Sequence, residues 1–257
     1  MEMNITAIIQ ARIGSTRLKG KVLLKVMGKT ILEYVIERVK AAKLVSNVLI
    51  ATTNNKEDDI INELANTFGV NIYRGSQDDV LDRFYKAATD VKAGHIVRIT
   101  ADCPLIDPAV IDDVVGYYIR TNADYCSNTI TETFPDGEDV EVFSFKALSS
   151  AWNHAGLLSE REHVTPYIKK HPELFKIESF KSKTDFSKER WTLDEKKDFL
   201  LIKSILEVLY PENPKFSMHD VLQFLDKNPH LRQINKDICR NAGYKKSLKE
   251  DRLMEAD

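Results

Sequence analysis

The sequence predicts an α/β fold, a mostly parallel Rossmann-like sheet with helices on both faces. Three observations carry that prediction. Short apolar runs of strand length alternate with helix-period segments through the first half of the chain. Helix-start and helix-stop residues stand where those segments meet. Finally, 257 residues that are 43% hydrophobic and 30% charged suffice to bury a sizeable core.

Residues 5–10 form the first apolar run and read as a strand buried on both faces. Thr30 suits the cap of a helix in which Ile31, Leu32, Val35, Ile36 and Val39 recur at helical spacing. The second strand is expected over 47–52 and the second helix over 57–68, with Gly69 ending it. A short third strand follows over 70–74. Asp78 or Asp79 then opens a helix carrying Val80, Leu81, Phe84, Tyr85 and Ala88. Residues 95–100 read as the fourth strand. Asp107 caps, and Pro108 begins, a helix to about Asn122.

After Tyr125 the rhythm changes. A strand is expected over 140–145, helices near 146–154 and 162–170, another strand over 177–183, and an amphipathic helix over 195–210. Pro211, Pro214 and Pro229 punctuate a charged, helical remainder whose last residues are expected to fray. No repeat or linker divides the chain. Residues 1–210 are therefore expected to be one α/β domain and 211–257 a helical appendage. Tyr125 and Trp152 read as core aromatics.

Charge and apolar runs exclude several functions. A formal net charge of −2 lacks the footprint of a nucleic-acid binder. Apolar stretches such as Val48-Leu49-Ile50-Ala51 are far shorter than a membrane span. The start Met1-Glu2-Met3-Asn4 has neither the charge nor the apolar run of a signal peptide. Cys103, Cys126 and Cys239 are widely spaced, which suits reduced thiols in a cytoplasmic protein rather than metal ligands.

Ligands of such sheets bind beyond the carboxyl ends of the strands. After the first strand comes Ala11-Arg12-Ile13-Gly14-Ser15-Thr16-Arg17-Leu18-Lys19-Gly20-Lys21. Its cations and glycines suit a triphosphate, which needs charge neutralisation and close backbone approach. It has neither the GxxxxGK[ST] nor the GxGxxG spacing, and a merely solvated basic loop is the plain alternative. After the fourth strand comes Thr100-Ala101-Asp102-Cys103-Pro104-Leu105-Ile106-Asp107, which puts Asp102 in the expected cleft. Asp102 fits a nucleotide-bound Mg²⁺, which takes one or two carboxylates, or else a turn before Pro104. Asp194, just before the long helix, has the same two readings, ligand or cap.

Ile9-Gln10-Ala11-Arg12, Ser15-Thr16-Arg17-Leu18 and Gly20-Lys21 resemble the signature loop of cytidylyltransferases that activate Kdo and sialic acids. The match is strongest to the spore-coat polysaccharide and acylneuraminate cytidylyltransferase-like branch. Arg74-Gly75-Ser76-Gln77-Asp78-Asp79-Val80-Leu81-Asp82-Arg83-Phe84 is similar to that branch, as are the segments 135–143 and 161–167. Together these motifs span roughly residues 4–210.

The resemblance implies a GT-A-type nucleotide-diphospho-sugar transferase fold and transfer of CMP from CTP to an anionic sugar-like acceptor, with Mg²⁺ as cofactor. It implies that Ala11, Arg12, Gly14, Ser15, Arg17 and Lys21 wrap the nucleotide, with Arg12 and Lys21 also catalytic. Asp102 and Asp194 would be both catalytic and metal ligands. Arg74, Gly75 and Thr100 would also face the nucleotide, although the Kdo enzymes often carry Gln where Thr100 stands. Arg83 is better read as an ordinary helix ion pair with Asp79. Asp139, Glu141, Arg161 and His163 would line the acceptor side. The Kdo-type H-x-G-x-Y-x-Y-R motif is missing, which leaves a 2-keto-3-deoxy sugar acid, another polysaccharide precursor or a phosphonate as acceptor. A homodimer is expected, as for related synthetases. Two rivals stand beside this reading. A glycosyltransferase of the same architecture would normally carry D-x-D, where this chain has Asp102-Cys103-Pro104. A non-catalytic nucleotide binder would bind CTP without turnover.

Overall fold

The computed structural model describes residues 3–254; Met1-Glu2 and the last three residues, where fraying is expected, lie outside them. The strands are β1 (Ile5–Gln10), β2 (Lys25–Val26), β3 (Lys29–Thr30), β4 (Asn47–Thr53), β5 (Asn71–Gly75), β6 (His95–Thr100), β7 (Tyr125–Ser127), β8 (Glu141–Ser144) and β9 (Ile177–Ser179). The α-helices are α1 (Ile31–Lys40), α2 (Asp59–Thr67), α3 (Val80–Asp90), α4 (Pro108–Thr121), α5 (Phe145–His154), α6 (Leu158–His163), α7 (Pro166–Lys170), α8 (Lys196–Glu212), α9 (Met218–Lys227) and α10 (Ala242–Lys249).

Seven strands form one sheet in the order β5-β4-β1-β6-β8-β7-β9. The run β5-β4-β1-β6 is parallel, β8 is antiparallel to both neighbours, and β9 is parallel to β7. After β5 the chain returns to the other side of β1 to lay down β6. That reversal opens a crevice beyond the carboxyl ends of β1 and β6, where the first loop and Asp102 lie. β2 and β3 make a separate hairpin, absent from the sequence reading because each strand has only two residues.

Local capping explains why the first half follows the sequence pattern. Thr30 and Glu33 form a reciprocal capping box at α1. Asp79 accepts from Asp82 N–H at 2.9 Å, which selects it over Asp78 as the cap of α3. Asp107 accepts from Ala109 N–H at 2.8 Å at the start of α4 and from Met218 N–H at 2.7 Å. One carboxylate therefore serves the starts of two helices. The second helix begins later than expected, after a 3-10 turn over Lys56–Asp58. The helix expected over 162–170 is divided into α6 and α7, because Val164 adopts φ 72 ahead of Pro166. Only Ile177–Ser179 of the later expected strand is in the sheet.

The core has two parts, one on each face of the sheet. Helices α1, α4, α8 and α9 cover one face, and α3, α5 and α7 the other. Residues beyond 210 knit into the first part: Phe216, Met218, Val221, Leu222 and Leu225 are buried there. Arg38 on α1 is buried and ties the two regions together. It donates to the carbonyls of Ile106 at 2.6 Å and Phe216 at 2.7 Å and lies over the Phe216 ring. Arg38→Met would keep most of the apolar stem but orphan both carbonyls. A loss of about 2–4 kcal/mol is expected, read as an earlier urea midpoint; an unchanged midpoint would show that water replaces the guanidinium. Tyr125 is fully buried as expected, while Trp152 is only partly buried and stacks on Tyr85 at 4.2 Å. No helix among the described residues is long and apolar enough to cross a membrane.

Candidate active site

The loop leaving β1 is pinned from below. Asp58, buried, accepts from Ile13 N–H at 2.8 Å and is also hydrogen-bonded to the Thr53 hydroxyl. Gly20 N–H closes the loop on the Ile13 carbonyl at 3.0 Å, with Gly20 in the left-handed region at φ 68. Lys21 therefore starts a 3-10 turn with its side chain directed inward.

The Lys21 ammonium donates to Asp102 Oδ2 at 2.5 Å and to Asp194 Oδ1 at 2.9 Å. The two acids come from opposite ends of the domain, one after β6 and one before α8. A backbone hydrogen bond, Leu193 N–H to the Asp102 carbonyl at 2.8 Å, holds their segments side by side. Gly137 makes the neighbouring segment fit. With φ 119, it lies so close to 191–192 that a Cβ would meet backbone atoms at 2.8 Å. Only glycine allows the Asp136 carbonyl to accept from Trp191 N–H at 2.6 Å and Thr192 N–H at 3.0 Å.

Asp194 takes two further cations, Arg17 at 2.8 Å and Arg190 at 3.1 Å. Arg190 is itself a hub, reaching Asp136 at 2.5 Å and Asp198 at 3.0 Å. Asp198 is fully buried and accepts from Asp194 N–H and Glu195 N–H, so it caps α8 and fixes the backbone that presents Asp194. Burial pushes the Asp102 carboxyl up, but the Lys21 ammonium overrides this and holds it at about 2. Burial works against the charged Lys21, yet the two carboxylates raise it above its ordinary value.

Two cavities meet at this cluster. One, of about 640 Å³, is lined by Gln10, Arg12, Ser15, Thr16, Arg17 and Lys21 on the loop side. The other, of about 430 Å³, is lined by Arg98, Asp139, Glu141, His163, Lys169 and Tyr244 among others. Asp102, Asp194, Arg17 and Thr100 lie on the wall common to both. Among the described residues no group of three or more His, Cys, Asp or Glu side chains converges to hold a metal. The two carboxylates on one ammonium nevertheless fit the protein's share of a nucleotide-bound Mg²⁺, whose other ligands are phosphate oxygens and water.

Several residues expected in the site are occupied elsewhere. Ala11 is buried, its N–H on the Ala51 carbonyl, and Gly14 faces Glu57; neither lines the two cavities. Arg74 binds the Thr53 and Asn55 carbonyls and Asp59. Gly75 makes room for the Arg83 stem, which a Cβ there would meet at 3.1 Å. Arg161 lines neither cavity: it clamps Asp79 and the Trp152 carbonyl, tying α6 to α3 and α5. Asp79 is thereby taken, and the expected Asp79–Arg83 pair does not form. Arg83 is instead fully buried, donating to the Ser76 carbonyl at 2.7 Å, with Nε and Nη2 unpartnered. Burial, with Arg12 nearby, lowers its guanidinium to about 10.

Glu141 lines the second cavity but is saturated, paired with Arg98, with Lys169 at 3.6 Å and with the Tyr125 and Thr165 hydroxyls at 2.6 Å. Although burial opposes it, Arg98 and these partners hold Glu141 at about 2. His163 is pushed down to about 4 by burial, so it is neutral at pH 7 and offers no charge to an anion. Asp139, half-buried and paired with Arg240 at 2.8 Å, is raised to about 7 by burial and by Asp136 and Glu141.

The sequence reading missed Arg98, Lys169 and Arg190, which carry no motif signal. It also missed the C-terminal segment. Helix α10 has no buried residues, yet Tyr244 lies edge-on to His163 at 4.9 Å and Ser247 hydrogen-bonds His163 at 3.0 Å. Asp251 then binds Ser159, and Met254 N–H the Gly156 carbonyl, so the chain end straps across both cavities. An eight-residue helix whose larger apolar residues are only Tyr244 and Leu248 carries too short a periodic signal to announce such a position.

Residues 6–228 match the cytidylyltransferase family model. A spore coat polysaccharide biosynthesis protein of Bacillus subtilis is 33% identical over 88% of this chain and 95% of its own. A 3-deoxy-manno-octulosonate cytidylyltransferase of Geobacter sulfurreducens is 42% identical over 65% of this chain and 76% of its own. Among solved structures, a cytidylyltransferase of Leptospira borgpetersenii superposes with a TM-score of 0.85 and 36% identity, covering 90% of this chain and 97% of that one.

Proposed function

The chain belongs to the cytidylyltransferase family, and on that premise we propose that it joins CMP from CTP to a hydroxyl of an anionic 2-keto-3-deoxy-type sugar acid for a surface polysaccharide. One observation carries this reading: Asp102 and Asp194, distant in sequence, share one ammonium on the wall between two cavities. A nucleotide in one cavity and an acceptor in the other would meet there.

In this reading Arg12, Ser15, Arg17 and Lys21 bind and neutralise the triphosphate, and Thr100 flanks it. The acceptor lies between Arg98, Lys169 and Asp139. Its hydroxyl oxygen forms a bond to the α-phosphorus as the bond to pyrophosphate breaks, and the pyrophosphate leaves with the electron pair. Asp102 and Asp194 would hold Mg²⁺, which supplies Lewis-acid polarisation when bound. Such chemistry rests on positioning and charge neutralisation and needs no protein nucleophile. The acceptor's proton passes to the Asp139 carboxylate, the cavity acid held near neutrality. The described cysteines are free thiols, which supports a cytoplasmic setting.

Turnover is therefore expected to rise with pH through about 7 as Asp139 loses its proton. Asp139→Asn should flatten that limb and lower turnover at pH 8 by about 10²-fold; an intact limb in this variant assigns it to another group. The reading as a whole is tested by a panel of sugar acids and phosphonates with CTP and Mg²⁺. Pyrophosphate release with a CMP conjugate seen by mass spectrometry is the expected result. A sugar acid that gives no conjugate while a phosphonate does would overturn the acceptor class.

A further inference from the structure

We propose that Lys21 is a built-in substitute for the divalent cation, holding the carboxylate pair until a triphosphate draws it away. The inference rests on the nucleotidyl-transfer reading and goes beyond it, because it makes metal affinity depend on whether nucleotide is bound. The Lys21 ammonium lies between Asp102 Oδ2 and Asp194 Oδ1, at 2.5 and 2.9 Å. Its side chain is only 12% exposed, so water screens these pairs weakly. Arg17 takes the same Asp194 oxygen at 2.8 Å, and Arg190 takes the other at 3.1 Å. A metal arriving alone would therefore have to displace the protein's own cations from oxygens they already satisfy.

A triphosphate changes the competition. Lys21 and Arg17 both line the larger cavity, where a polyanion would offer them more negative charge than the carboxylates do. Lysine suits such an exchange, being a compact charge on a flexible stem whose head can change partners without moving the backbone. The ammonium that leaves Asp102 for a phosphate vacates the position where the metal has use of both carboxylates. Nucleotide and metal thus favour each other's binding, and linkage requires the coupling to be reciprocal. Metal bound without nucleotide would be unproductive, and this arrangement prevents it.

The test measures Mn²⁺ binding to the free protein by electron paramagnetic resonance, with no nucleotide present. Lys21→Met should bind Mn²⁺ on the order of tenfold more tightly than the wild type, in the range of ordinary coupling between ligands. Mn²⁺ should also raise the melting temperature of Lys21→Met and leave that of the wild type unchanged. Lys21→Gln should behave like Lys21→Met and serves if the latter folds poorly. Lys25→Met, which removes an exposed charge outside the site, should match the wild type. Adding Asp102→Asn to Lys21→Met should abolish the gain. Equal or weaker Mn²⁺ binding by both Lys21 variants would overturn the proposal. Failure of the wild type to bind CTP in calorimetry would instead sink the nucleotidyl-transfer reading, leaving the Mn²⁺ comparison valid.

Discussion

Asp102→Asn is expected to lower turnover by about 10³-fold while the protein folds normally. The magnitude is that of removing a central charge-stabilising group from phosphoryl or acyl transfer. Asn keeps the shape of the side chain and can still accept from Lys21, which retains Asp194 at 2.9 Å. The backbone bond from Leu193 N–H to the residue-102 carbonyl does not involve the side chain. Circular dichroism and melting should therefore stay near wild type, while pyrophosphate release with CTP, Mg²⁺ and acceptor collapses. Turnover within a few-fold of wild type would remove Asp102 from the chemistry and reduce it to a partner of Lys21.

Arg190→Met is expected to have the largest effect on stability, a loss of about 3–5 kcal/mol at neutral pH. Removing one partner of a buried pair leaves uncompensated charge, and Arg190 serves three carboxylates, Asp136, Asp194 and Asp198. The pH dependence distinguishes this cause from lost packing. Without the guanidinium the buried acids hold their protons more tightly in the folded state than in the unfolded chain. That contribution favours folding below the unfolded carboxylate range and fades as pH rises through the raised folded values. The deficit relative to wild type should therefore be larger at pH 7–8 than near pH 4, as read by urea midpoints at each pH. Asp136 already leans this way, since burial raises it even with Arg190 present. A deficit independent of pH would mean that the stem's packing, and not the charge, was lost.

The contrast between Asp79 and Lys21 shows where the sequence is sufficient and where it is not. Asp79 and Arg83 stand four residues apart, the spacing of a helix ion pair. The fold instead delivers Arg161 from α6, which grips Asp79 with two nitrogens, and seals Arg83 in the interior. No spacing rule anticipates that, because the competitor comes from another part of the chain. Lys21 lies at the other extreme: its loop reads as a phosphate site or as a solvated basic loop, and its partners are two acids that only the tertiary fold brings to it.

From the sequence alone one could read the strands over Ile5–Gln10 and His95–Thr100, the caps Thr30 and Asp107, and Gly69 at φ 59 closing α2. The basic loop and the candidate acids Asp102 and Asp194 could be picked out there too. Each of these depends on side-chain periodicity or on hydrogen bonds reaching a few residues along the chain, which residue order specifies directly. Only the tertiary structure decided which charges face one another, which acids keep a proton, and that the polar chain end crosses the cavities. Coulomb interactions and desolvation depend on separation in space and on access of water, and neither is a function of sequence distance.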